Sequence, residues 1–156
     1  NTSDKAPRRA VTRSAARLGA VQALYQMELA GTDVSEVLAE YAASRQGEAF
    51  EDGEHGTADT AFMHDIIKGV VRDQRAIDKA LAGCLSDGWT LPRLDTTLRA
   101  ILRSAGYELA ARGDVPGRVV ISEYVDVARA FFDGPEPKFI NAALDKLARE
   151  KREAEF

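Results

Sequence analysis

Apolar residues recur along this chain at intervals of three and four, the spacing that lines one face of an α-helix. From about residue 9 to residue 30 no proline interrupts a run rich in Ala and Leu, and Gly31 supplies the stop. Thr32 and Asp33 are capping candidates for a second helix carrying Val34, Val37, Leu38 and Tyr41. Asp59 or Thr60 can cap a third, with Phe62, Ile66, Ile67 and Val70 in one stripe; Ile77, Leu81 and Leu85 mark a fourth, continuous with it or set off by a kink. "SDGWTLPRLD" reads as a connector with one large anchor, Trp89. Asp95 then caps a strongly periodic helix through Leu98, Ile101, Leu102, Ala105 and Leu109, which "RGDVPG" breaks. Val119 to Ile121 is β-like in composition, but Ile121, Tyr124, Val125, Ala128 and Phe132 keep the helical interval. After "DGPEP", a terminal helix over 138–152 turns Phe139, Ala143, Leu144 and Leu147 inward.

No alternating strand pattern and no internal repeat is visible, so the pattern predicts an all-α single-domain bundle of about seven helices. Its expected extent is 8–152, with a flexible N-terminal tail at 1–7 and a C-terminal tail at 153–156. The polar, acidic, glycine-rich stretch "QGEAFEDGEHGTA", residues 46–58, is expected to be a mobile loop.

Composition narrows the class. With 156 residues, 45% hydrophobic and 29% charged, the chain is long enough and apolar enough for a folded core. Its apolar runs are short and interrupted by charge, so no membrane span is expected. One cysteine, Cys84, excludes an internal disulfide framework and fits a reducing compartment, which points to a cytoplasmic location. The first 25 residues hold Lys5, Arg8, Arg9, Arg13 and Arg17 against Asp4 alone, a balance of +4 in a chain of net charge −4, leaving −8 for the rest. An Arg-rich, acid-poor start also has the composition of a transit peptide, but the helical pattern runs from it straight into the core pattern.

Catalytic chemistry has little to stand on. His55 falls in the acidic stretch, and His64 and Asp65 occupy successive helical positions that point in different directions. No His or Cys residues share ligand spacing, and no glycine-rich phosphate loop is present, so no metal, cofactor or catalytic residue is expected and the chain reads as a non-enzyme. Cys84, on the Ile77–Leu81 stripe, reads as a small buried apolar residue.

The basic end is different. Arg9, Arg13 and Arg17 step by four and form a ridge drifting about 40° per step. Like charges at that spacing repel by a few tenths of a kcal/mol, so helix stability does not account for them, whereas guanidinium groups suit phosphate oxygens and base faces. A second cluster is "GPEPKFINAALDK": Pro135 and Pro137 set the start of the last helix and put Lys138 and Phe139 near its N-terminus. Phe139 has two readings, a core residue spaced with Ala143 and Leu147, or an aromatic platform beside a cation of the kind single-stranded RNA uses.

"RSAARLGAVQALYQMEL", "FMHDIIKGVV", "RAILRSAGYEL", "VPGRVVISEYVDVARAF" and "KFINAALDKLA" resemble, in that order and spacing, the NusB family of bacterial transcription antitermination factors. The resemblance covers about residues 8 to 150. It implies an all-helical fold and a role in processive antitermination, notably of ribosomal RNA operons. It further implies a heterodimer with NusE, also a small-ribosomal-subunit protein, bound to the boxA segment of single-stranded nascent RNA within the RNA polymerase antitermination complex. By position, the family's arginine-rich motif falls on Arg8, Arg9, Arg13 and Arg17; Gln22 and Tyr25 match its "AVQALY" stretch; Lys138, Phe139 and Asn141 match a stretch lying near the RNA. Ser14 and Ala15 interrupt the arginine run, and "DGPEP" brings prolines before the last helix. Two other classes fit a helical RNA-binding chain: the N-terminal domain of an RNA methyltransferase, whose catalytic domain would follow residue 156, and a scaffold that binds only protein.

Overall fold

The computed structural model describes residues 2–41 and 59–156, with side chains from residue 13 onward. All regular structure among these residues is helical: α1 (Thr2–Ala30), α2 (34–41), α3 (Thr60–Ala82), α4 (Thr96–Ala111), α5 (Gly117–Phe131) and α6 (Glu136–Lys151), with 3-10 turns at Leu91–Arg93 and Glu153–Glu155. Six helices stand among the described residues where about seven were expected, because the third and fourth segments are one element. Asp73 (φ −104°, ψ 15°) kinks α3 without ending it. Residues 70–77 contain neither proline nor glycine, so nothing there forces the chain out of the helix. Helical backbone in α1 begins at Thr2, upstream of the residue 9 expected from the pattern. The predicted 46–58 loop and His55 lie outside the described residues.

The chain divides into two compact units, Asn1–Lys68 and Gly69–Phe156. In the first, α1 ends at Gly31 (φ 69°), whose N–H donates to Met27 O at 3.0 Å. Asp33 caps α2 by accepting from Glu36 N at 2.8 Å, and Asp59 caps α3 by accepting from Phe62 N at 3.0 Å. Gln26 donates to Glu40 across α1 and α2 at 2.7 Å. Small side chains let these helices close up: Ala16, Ala20 and Ala23 are buried, and a Cβ on Gly19 would fall 2.6 Å from the Tyr41 hydroxyl and 2.9 Å from Met63 Sδ. Val21, Val37, Phe62, Met63, Ile66 and Ile67 complete this core.

In the second unit α4 is buried almost all round, from Leu98 to Leu109, and α5 and α6 pack on it and on each other. Its Asp95 cap is as expected, accepting from Thr97 N at 2.8 Å. Buried polar groups on α4 find partners: Glu108 accepts from the Tyr124 hydroxyl and Ser104 donates to Ala100 O at 2.8 Å. On α6 the inward positions are Ile140, Ala143, Leu144, Leu147 and Ala148. Ile140, and not Phe139, takes the first core place, because it sits three and four residues before Ala143 and Leu144.

Residues 152–156 are folded onto this unit. Arg152 donates to Leu109 O (2.8 Å), Glu108 O (3.2 Å), Arg112 O (2.7 Å) and Val115 O (2.9 Å), satisfying the carbonyls at and beyond the end of α4. Glu155 receives Arg152 at 2.6 Å and the Gly117 N–H, which opens α5, at 2.7 Å. The Phe156 ring lies 4.6 Å from the Arg118 guanidinium and 5.1 Å from that of Arg149. No helix among the described residues is long and apolar enough to cross a membrane.

Candidate nucleic-acid interface

The arginine ridge of α1 divides in two. Arg8 and Arg9 sit on the helix backbone, but their side chains lie outside the described residues. Arg13 keeps 29% of its side chain exposed, with Nε 3.8 Å from the Asp59 carboxylate and the guanidinium 4.5 Å from the centre of the Phe62 ring. Arg17 is 2% exposed, its guanidinium 4.9 Å from the same ring. The expected ridge of phosphate-facing arginines therefore stops at Arg13, and Arg17 does not face solvent. Phe62, which α3 presents to α1, stands beside both cations and attracts them through its ring quadrupole. Asp59 serves twice, capping α3 through one oxygen and pairing with Arg13 through the other.

Further along α1, Gln22 is exposed and Tyr25 is 40% exposed. Three residues apart on a helix, they share a face. Both are available to a partner.

In the second unit, "KFIN" is split by helical geometry. Lys138 is exposed at the start of α6. The half-buried Phe139 ring meets Trp89 edge-on, with centroids 6.1 Å apart and planes at 65°. Asn141, two positions and about 200° further round the helix, lines an open groove of about 320 Å³ with Arg118, Ser122 and Arg129. Phe139 and Asn141 thus face different surroundings. Trp89 is no core anchor: it is 47% exposed, and Leu91 and Leu94 are the buried residues of the connector.

Chemistry elsewhere is sparse. Among the described residues no group of three or more His, Cys, Asp or Glu could hold a metal ion. Cys84 is buried, as its place on the stripe implied; its thiol donates to Ala80 O at 3.4 Å, and burial, aided by Glu150, pushes its pKa up. Burial and then Lys68 hold the His64 imidazole below its ordinary pKa.

Sequence reasoning missed two features. The Arg13–Phe62–Arg17 arrangement joins residues 45 to 49 positions apart, and no local spacing announces it. Trp89 and Phe139 meet across 50 positions, although a tryptophan in a Gly/Pro-flanked connector was itself the signal available.

A small all-helical chain with a basic leading helix and an exposed aromatic–cation cluster has the features of a nucleic-acid-associated factor rather than of an enzyme. Comparison with known proteins gives the family. The NusB family profile matches residues 14–149. The transcription antitermination protein NusB of Sinorhizobium fredii is 49% identical over 150 residues, covering 96% of this chain and 94% of its own. That of Sphingopyxis alaskensis is 52% identical over 145 residues (93% and 97%), and that of Maricaulis maris 53% identical over 148 (95% and 92%). The solved structure of NusB from T. maritima superposes with a TM-score of 0.73 at 28% identity, covering 90% of this chain and 96% of that one. The class is that of the helical transcription antitermination factors. The chain belongs to the NusB family.

Proposed function

We propose that this antitermination factor binds boxA-type single-stranded RNA together with NusE, within the RNA polymerase antitermination complex, and so promotes processive transcription of ribosomal RNA operons in the cytoplasm. One observation carries the reading: positive charge is concentrated at the start of α1, +4 over 25 residues, in a chain that is otherwise acidic. Arg8, Arg9 and Arg13 neutralise phosphates, while Arg17, inside the fold over Phe62, is a positioning residue for Arg13's neighbourhood. Gln22 and Tyr25 offer a donor–acceptor pair and an aromatic face on the exposed side of the same helix. Lys138 and Phe139 supply a second cation and ring, and Asn141 a hydrogen-bonding amide in the α5–α6 groove. NusE on the same RNA adds affinity by making each partner's contacts effectively intramolecular.

The test is a salt titration of boxA RNA binding by the wild type and by Arg8→Ala/Arg9→Ala. Each lost phosphate contact on a single strand flattens the log–log salt slope by about 0.7, so the double variant is expected to lose about 1.4. An unchanged slope and affinity would remove the phosphate role, and equal binding of a scrambled RNA would remove the sequence preference.

A further inference from the structure

We propose that Trp89 is a base-stacking residue: with Phe139 it forms an exposed aromatic corner for unpaired bases of single-stranded RNA, beside Arg93 and Lys138. The inference rests on the RNA-binding reading above and adds the connector between α3 and α4 to the residues that reading names.

Trp89 is the chain's one tryptophan, and 47% of it is exposed. That exposure belongs to an ordered segment. Gly88, at φ 87°, makes the turn that lifts the ring out; the Trp89 N–H donates to Ser86 O at 3.0 Å, and Leu91 and Leu94 on the far side are buried. Arg99 on α4 ties the connector down, donating to Leu91 O at 3.2 Å and also to Leu94 O.

The charge beside the ring is fixed in advance. Arg93 donates to Gly88 O at 2.6 Å and holds its guanidinium 5.7 Å from the Trp89 ring centre. Phe139, on the first turn of α6, meets Trp89 at 65°, so two rings present non-parallel faces with the exposed Lys138 next in sequence. Two cations beside the rings give the corner a charge complementary to a phosphate backbone. A base with its phosphate uses both, the ring for its π-face and the cations for its backbone. Core packing does not explain the pair either, since Ile140 holds the inward position.

Because Trp89 is the sole tryptophan, its intrinsic fluorescence reports this corner without added label. The intact chain is titrated with an end-labelled boxA RNA, following label anisotropy for binding and Trp89 emission for stacking. Saturable quenching is expected at the RNA concentration where anisotropy changes. Trp89→Ala is expected to weaken binding roughly tenfold at fixed salt, and Trp89→Phe to keep most of the affinity. The salt slope should stay the same in both, because stacking releases no counterions. Far-UV circular dichroism and the urea midpoint establish that the exposed substitution leaves the fold intact. Binding by anisotropy with unmoved Trp89 emission, or with equal affinity in Trp89→Ala, overturns the proposal while the RNA-binding reading stands. No anisotropy change at all overturns both.

Discussion

Phe62 is flanked by two guanidinium groups, and the two are not equivalent. Arg17 is enclosed, whereas Arg13 reaches solvent and a carboxylate. Arg17→Ala is therefore expected to cost about 1–3 kcal/mol of unfolding free energy, well above Arg13→Ala, with the urea midpoint as the measurement. Equal losses would mean that the ring does not distinguish them. Asp59 offers a cleaner separation of stability from binding. Asn caps a helix as well as Asp does, so Asp59→Asn should shift stability by less than about 1 kcal/mol. Removing its charge from beside Arg13 should raise RNA affinity roughly twofold to fivefold at low salt, since the partly buried ion pair no longer competes with phosphate. Anisotropy titrations of the two proteins settle this. The sequence displayed Arg13 and Arg17 as one ridge because spacing reports only which face residues share. It is silent on what packs against that face, and an aromatic from α3 divided the ridge.

At the scale of elements, periodicity located nearly every buried stripe, since a 3.6-residue repeat leaves its imprint wherever one helix face is covered. Leu98, Ile101, Leu102, Ala105 and Leu109 are all buried as expected. The pattern was weaker where elements join. It could not decide whether α3 was one helix or two, because the kink at Asp73 comes without a breaker residue. It also took Trp89 for an anchor, because size suggests burial and the geometry of a 3-10 turn is not written in composition. The end of α4 depends on a residue far down the chain. Arg152→Ala leaves the carbonyls of Glu108, Leu109, Arg112 and Val115 without this donor, at an expected cost of about 2–4 kcal/mol by urea unfolding. Arg152→Lys should recover only part of that, because an ammonium cannot reproduce the planar fork.

For the molecule as a whole, His64 and Glu155 are two of the described groups that couple stability to acid, beside Asp73, whose carboxyl the Arg72 guanidinium holds below its ordinary pKa. Burial lowers the His64 pKa, so the fold favours its neutral form; that contribution is present above the ordinary value of 6.5 and is lost as pH falls through the lowered folded value. Glu155 is held below its ordinary 4.5, first by the Gly117 N–H and then by Arg152, so its contribution is full above 4.5 and disappears as pH falls further. Stability should therefore decline in two windows, with His64→Gln removing the one just below neutrality and Glu155→Gln reducing the more acidic one, to which Asp73 also contributes. Urea midpoints across the acid range measure both, and a wild-type curve without the upper window would refute the His64 assignment. The helical class and the family were legible from five ordered motifs, while the aromatic corner was not, because its rings come from segments that only tertiary structure joins.

The clasp made by Arg152 has a consequence for biogenesis. Its guanidinium bonds to a carbonyl 44 positions earlier, so while the protein is being translated, α4 emerges well before the residue that closes its end. Until residue 152 clears the exit tunnel, the nascent second unit lacks this donor, and the Glu108 and Arg112 carbonyls have only the local Arg112 and Val115 N–H groups. Its final locking thus follows the synthesis of residue 152 rather than local helix formation.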